Sequence, residues 1–202
     1  MKKHYTLLVY LLFASLSLNL FFLFSNWRRG VVVSVPDGDS LQLADGRRIR
    51  LLGIDAPEKG RCLADKAREL LSYLAKSKHV RLRDIVTDDY GRTLANVFVG
   101  RIWVNNDMVR NGLARSESDK LSDAANVAKN TKLGIYSETC RKTIAPDGCA
   151  IKGNIREGKP VYYLPACKYY NQVIVDEAFG DAWFCSELDA KEAGFSAATS
   201  CR

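Results

Sequence analysis

Between Gly30 and Ile54 the chain reads as three short β-like runs divided by two tight turns. Gly30 to Val35 is apolar and β-branched, Ser40 to Leu43 alternates apolar with polar, and Arg47 to Ile54 is a third run. Pro36-Asp37-Gly38 and Ala44-Asp45-Gly46 are turn signals of hairpin length. This pattern predicts a meander. Leu63, Ala67, Leu70, Leu71 and Leu74 then form an apolar helical stripe. Val80 to Ile85 alternates as a strand, Asp88-Asp89-Tyr90-Gly91 is a turn, and Arg92 to Val99 is a fifth strand. Val104 to Leu113 and Leu121 to Leu133 predict two shorter helices, the second capped by Gly134. The order β-β-β-α-β-β with helices after it predicts a mainly β fold, a five-stranded OB barrel with packed helices. Such a fold does not by itself fix function.

The two ends differ from this middle. Tyr5 to Phe24 is almost wholly apolar, about twenty residues, enough for a helix to span a bilayer. Ala14-Ser15-Leu16 and Ser25-Asn26-Trp27 are poor cleavage sites, so residues 1–29 are expected to be an uncleaved transmembrane anchor rather than a removed signal. Five of the six cysteines lie after residue 139, with Cys62 the exception. An even count behind an export signal predicts disulfides and an extracytoplasmic, periplasmic-side location at the inner membrane, with secretion after cleavage as the alternative. A zinc site is the weaker reading, because no Cys-x-x-Cys pair exists and the only histidines are His4 and His79. Residues 141–202 are expected to be a small disulfide-stabilised module, since so short a segment builds little core. Its one clear periodic element is a helix from Ser186 to Ala193. That divides the chain into 1–29, a 30–140 barrel domain and 141–202. Residues 31–140 carry 18 basic and 15 acidic side chains and residues 141–202 carry 8 of each, so net charge alone does not identify a nucleic-acid binder.

Three clusters carry chemistry. They are Asp37-Gly38-Asp39, the stretch from Arg50 to Glu58, and Asp88 to Arg92. Each alone has a bland reading, as a turn, a solvated loop carboxylate or an edge charge. Together they supply what phosphodiester hydrolysis requires. Guanidinium groups neutralise phosphate oxygens, a carboxylate activates water, and further carboxylates hold a hard cation. One difficulty stands in strand three, where Arg50 and Asp55 differ in parity and a regular strand would turn them to opposite faces. Either Gly53 marks a bend or Asp55 lies past the regular strand.

Residues 31–140 resemble the staphylococcal-nuclease-like, or thermonuclease, family. The likeness rests on Asp37-Gly38-Asp39-Ser40, Arg50-Leu51-Leu52-Gly53-Ile54-Asp55-Ala56-Pro57-Glu58, Asp88-Asp89-Tyr90-Gly91-Arg92 and Leu133-Gly134-Ile135-Tyr136-Ser137-Glu138. It implies Ca²⁺-dependent cleavage of DNA or RNA to products with 3′-phosphates, by a monomer. Arg50 and Arg92 would bind phosphate and Glu58 would be the general base. Asp39 and Asp55 would hold Ca²⁺ with the Ala56 carbonyl, Tyr90 would contact a substrate phosphate, and Asp37 would stand behind the metal ligands. A non-catalytic nucleic-acid-binding OB module is the alternative, although a degenerate domain would have lost some of these groups. Two departures predict altered affinity. Asp89 stands where the best-known member has lysine, and Ser116-Glu117-Ser118-Asp119 replaces stacking tyrosines. The tail resembles a small module appended to bacterial thermonucleases. Of the fifteen pairings that six cysteines permit, Cys149 with Cys185 and Cys167 with Cys201 are the bridges expected.

Overall fold

In the computed structural model, residues 10–19, 30–156 and 158–201 are described. The meander forms with β1 (Val32–Ser34), β2 (Ser40–Leu43) and β3 (Arg48–Leu51) paired antiparallel in sequence. Alternation positions it, because Leu41, Leu43, Ile49 and Leu51 are all buried while their neighbours face outward. A short β4 (Ile54–Asp55) follows, then helix α1 (Ala64–Ala75), whose Ala67, Leu71 and Leu74 enter the core. Strands β5 (Arg81–Thr87) and β6 (Thr93–Val99) form a hairpin, with β7 (Ile102–Trp103) added to β6.

The sheet order is β1-β2-β3-β6-β5, with β3 and β6 parallel. The edges meet. Val31 bridges His79, Val32 N donates to Lys78 O at 3.0 Å, and Ser77 N donates to Val32 O at 2.9 Å. This is a mixed sheet-and-helix architecture consistent with an OB-like barrel. Helices α2 (Val104–Arg110) and α3 (Ser122–Asn130) pack beside it, joined through β8 (Arg115–Ser116), which pairs with β4.

The expected transmembrane helix is overturned. Within the expected span, residues 10–19 are described and are helical. Among the described residues no helix is long and apolar enough to cross a membrane, so a membrane-anchoring helix is not supported. The rest of that expected span, residues 1–9 and 20–29, lies outside the described residues.

Beyond residue 140, Arg141–Lys142 pair as β9 with β12 (Val175–Asp176). A four-stranded sheet follows in the order β13-β10-β11-β14, built on the hairpin of β10 (Ile151–Arg156) and β11 (Lys159–Tyr163). β13 is Ala182–Phe184 and β14 is Ser196–Ala197. Helix α4 (Glu187–Glu192) is fixed by a capping box between Ser186 and Asp189. Tyr162, Phe184 and Phe195 are buried together as a small core. Three disulfides join Cys62 to Cys140, Cys149 to Cys185 and Cys167 to Cys201.

Candidate active site

The Asp37-Gly38-Asp39 turn sits against α1 and the loop after β4. A Cβ on Gly38 would lie 2.6 Å from Ala67 Cβ and 2.8 Å from Ala56 Cβ, so the turn can approach only as glycine. That approach buries Asp39, which is 3% exposed. Asp37 accepts a hydrogen bond from the Asp39 amide at 3.2 Å and so shapes the turn from behind.

Arg50 holds the carboxylates together. Its Nη1 donates to Asp39 Oδ1 at 2.8 Å, its Nη2 lies 2.8 Å from Asp39 Oδ2, and the same Nη2 donates to Asp55 Oδ1 at 3.1 Å. The parity difficulty is resolved by a break in the strand. β3 stops at Leu51, and Gly53 takes a left-handed φ of 72°. The chain then starts β4 with Asp55 on the Arg50 side. A Cβ on Gly53 would also come within 2.8 Å of Ser118 Cβ.

Asp39 receives two further donors, Ser40 Oγ at 3.0 Å and the Ala56 amide at 3.3 Å. Burial nevertheless pushes its carboxyl up to about 7, against the pull of Arg50. A buried carboxylate sharing the Arg50 guanidinium with a second carboxylate suits a hard cation with oxygen ligands. Among the described residues no group of three or more Asp, Glu, His or Cys side chains is gathered for a metal. Asp39 and Asp55 are the carboxylates that Arg50 draws together, and backbone carbonyl and water would complete such a shell.

A cleft of about 540 Å³ opens over this base. Arg50, Glu58 and Arg92 line it, with Asp37, Arg47 and Arg48. Glu58 is exposed, and among the described residues its carboxylate has no hydrogen-bond or ion-pair partner. Arg92 is held by Asp88, whose Oδ2 accepts from Arg92 Nε at 2.6 Å and whose Oδ1 accepts from the Arg92 amide at 2.8 Å. Tyr90 is 85% exposed beside Arg92, whose guanidinium centre lies 5.2 Å from the ring.

The structure therefore brings Arg50, Asp39, Asp55 and Ala56 into direct contact, and Arg50, Glu58, Arg92 and Asp37 onto one cleft. Tyr90 stands at its margin. Cys149, Cys185, Cys167 and Cys201 lie in the tail, away from this cluster. Asp88, inside a cluster the sequence already marks, steers Arg92. Two contributors have no signature in the sequence: Arg115 Nη2 lies 2.7 Å from Asp55 Oδ2, and the buried Asn105 donates to Leu52 O at 2.9 Å just where β3 ends.

The sequence has relatives. The sequence model of the family described as staphylococcal nuclease homologue matches residues 48–138, which include Arg50, Asp55, Glu58 and Arg92 but not Asp39. A protein named ParB from Escherichia coli is 41% identical over 83 residues, covering 40% of this chain and 44% of that protein. A micrococcal nuclease from Shigella flexneri is 30% identical over 129 residues, covering 54% of this chain and 74% of that protein. An uncharacterized endonuclease from Escherichia coli is 35% identical over 118 residues, covering 54% and 77%. The chain spans about half the length of some curated relatives, 44% of ParB and 49% of an uncharacterized endonuclease from Haemophilus influenzae.

Proposed function

We propose that this chain, which belongs to the staphylococcal nuclease homologue family, is a nuclease that hydrolyses phosphodiester bonds of DNA or RNA. The observation that carries this reading is the convergence of Arg50, Glu58 and Arg92 on one cleft above the Asp39–Arg50–Asp55 cluster. Ca²⁺ fits the donor set at its base. Asp39, Asp55 and the Ala56 carbonyl would hold it, and it would supply positive charge beside the reacting phosphate.

The protein's own groups then do the following. Arg50 and Arg92 donate to the non-bridging phosphate oxygens and stabilise charge that builds as phosphorus becomes five-coordinate. Glu58, whose carboxylate has no partner among the described residues, takes the proton of the attacking water. The new P–O bond forms as the P–O5′ bond breaks, the 5′-oxygen leaves with a proton from solvent, and the 3′ side keeps the phosphate. Asp88 fixes the direction of Arg92. The three disulfides suit an oxidising compartment, which supports action outside the cytoplasm.

The test is a gel assay of the purified chain on single- and double-stranded DNA and on RNA, with Ca²⁺, with Mg²⁺ and with chelator. Cleavage with Ca²⁺ that Glu58→Ala abolishes is the expected result. Tight binding without cleavage under every condition would instead make this a non-catalytic OB module.

A further inference from the structure

The cleft holds more positive charge than one phosphate needs. Arg48 and Arg50 are two residues apart on β3, whose Ile49 and Leu51 are buried, so both arginines belong to its outer face. In the parallel pairing with β6, Ile49 is level with Thr93, which sets Arg48 level with Arg92 one step earlier. Neighbouring strands lie only about 4.8 Å apart. Arg48, Arg50 and Arg92 all line the same cleft.

Guanidinium groups this close repel unless anions lie among them. Arg50 is balanced by Asp39 and Asp55, Arg92 by Asp88, and Arg47 by Asp45 at 2.9 Å. Arg48 is exposed and, among the described residues, has no acid paired with it. The charge it brings into the cleft is not committed to an acid of the protein among the described residues.

We propose that Arg48 is a second phosphate-binding position, taking the backbone phosphate next to the one attacked, so that the cleft grips a polynucleotide strand and not an isolated phosphodiester. The proposal rests on the nuclease reading of the same cleft. Two residues along a strand are separated by roughly 7 Å, a distance comparable to that between successive phosphates of an extended strand. A guanidinium keeps its charge at every working pH and binds phosphate by two donors.

The test uses the full chain and Arg48→Ala with two substrates, a dinucleoside monophosphate, which has a single phosphate, and a long single-stranded oligonucleotide. For Arg48→Ala, kcat/KM on the oligonucleotide falls roughly tenfold, the size expected for one charged hydrogen-bond pair, while the dinucleoside monophosphate is unaffected. In chelator, where hydrolysis is suppressed, fluorescence anisotropy gives oligonucleotide binding directly. Its slope against the logarithm of salt becomes shallower by about 0.7 in Arg48→Ala, and Arg48→Lys recovers that slope. An equal loss on both substrates, or unchanged oligonucleotide binding and slope, overturns the proposal. A wild-type chain that binds oligonucleotide through Arg48 yet cleaves neither substrate overturns the nuclease reading alone.

Discussion

Arg115 Nη2 lies 2.7 Å from Asp55 Oδ2, so Asp55 is gripped from both sides, by Arg50 through one oxygen and by Arg115 through the other. The Arg115 guanidinium also covers the Phe179 ring at 4.1 Å, and Phe179 belongs to the tail. The 3-10 turn that carries it, Glu177–Phe179, is tied back by the Glu177 amide donating to Cys140 O at 2.9 Å. A carboxylate of the proposed site is thus held by a side chain that the C-terminal segment holds in turn. Arg115 competes for the oxygens a cation would use. In Arg115→Ala, half-maximal activity should be reached at a few-fold lower Ca²⁺, because a partly exposed ion pair is worth up to about 1 kcal/mol. A calcium titration of the cleavage rate checks this, and a rise in the half-maximal concentration would oppose it.

Glu58 and Arg50 should fail differently. Glu58→Gln keeps size and polarity but cannot take a proton, so kcat should drop by roughly 10²- to 10⁴-fold with little change in substrate binding. Arg50→Ala removes the guanidinium that Asp39 and Asp55 share and should cost stability as well as rate, by about 3 kcal/mol, since buried Asp39 would lose its ion pair. Single-turnover kinetics beside urea unfolding separates the two. Equal stability loss in both variants would contradict this division of roles between base and counter-charge.

Gly53→Ala meets two obstacles, a left-handed φ of 72° and a Cβ contact of 2.8 Å with Ser118. A loss of about 1–3 kcal/mol is expected. Ser118→Gly in the same chain should return only part of it, because it relieves the contact and leaves the strained backbone. A double-mutant cycle by chemical denaturation measures the coupling. Additive effects would show that the contact costs nothing.

The pH dependence follows from Asp39. Burial raises its carboxyl from 3.8 to about 7 in the folded chain, with Arg50 opposing. The folded state therefore binds the extra proton between about pH 4 and 7. The stability this contributes is full below about pH 4 and is lost as pH rises through about 7. A displacement of that size is worth on the order of 4 kcal/mol at most. In chelator, unfolding midpoints should fall across this window. Asp39→Asn should flatten the slope, and added Ca²⁺ should stabilise wild type more at pH 8 than at pH 5. A midpoint that rises across the window would refute the assignment.

The Cys62–Cys140 bridge spans 78 residues of chain. Replacing both cysteines by alanine should cost roughly 4 kcal/mol in the loop-entropy picture. Cys62 also ends the loop that starts at Glu58, where Arg61 N donates to Glu58 O at 2.9 Å. Nuclease activity of the double variant should therefore fall at a lower temperature than its secondary structure is lost. Parallel activity and circular dichroism melts test that order.

The barrel strands were legible because buried Leu41, Leu43, Ile49 and Leu51 alternate with polar neighbours, the one pattern that water on one face and core on the other enforces. The site was legible for a related reason: Arg50, Asp55 and Glu58 stand together in a stretch whose packing alone does not explain them. Arg115 and Asn105 were not legible. Each acts across a long separation, Asn105 on Leu52 and Arg115 on Asp55, and nothing local distinguishes them from surface or helix polar residues. The tail sheet was hidden because Gly153 and Pro160 interrupt the alternation of β10 and β11, and crosslinks and buried Tyr162 compensate for weak pattern. The N-terminal expectation rested on apolar composition alone, which measures affinity for lipid, and among the described residues no helix is long and apolar enough to cross a membrane.

The parallel pairing of β3 with β6 has a consequence for how such a protein is made. Arg50 and Arg92 share a cleft only after strands more than forty positions apart have found each other, and Asp55 is seated only when β8 arrives later still. Contacts of such long range form with the cooperative fold and not ahead of it. A nascent or still-unfolded chain holds every one of these groups but has not yet brought them onto one cleft.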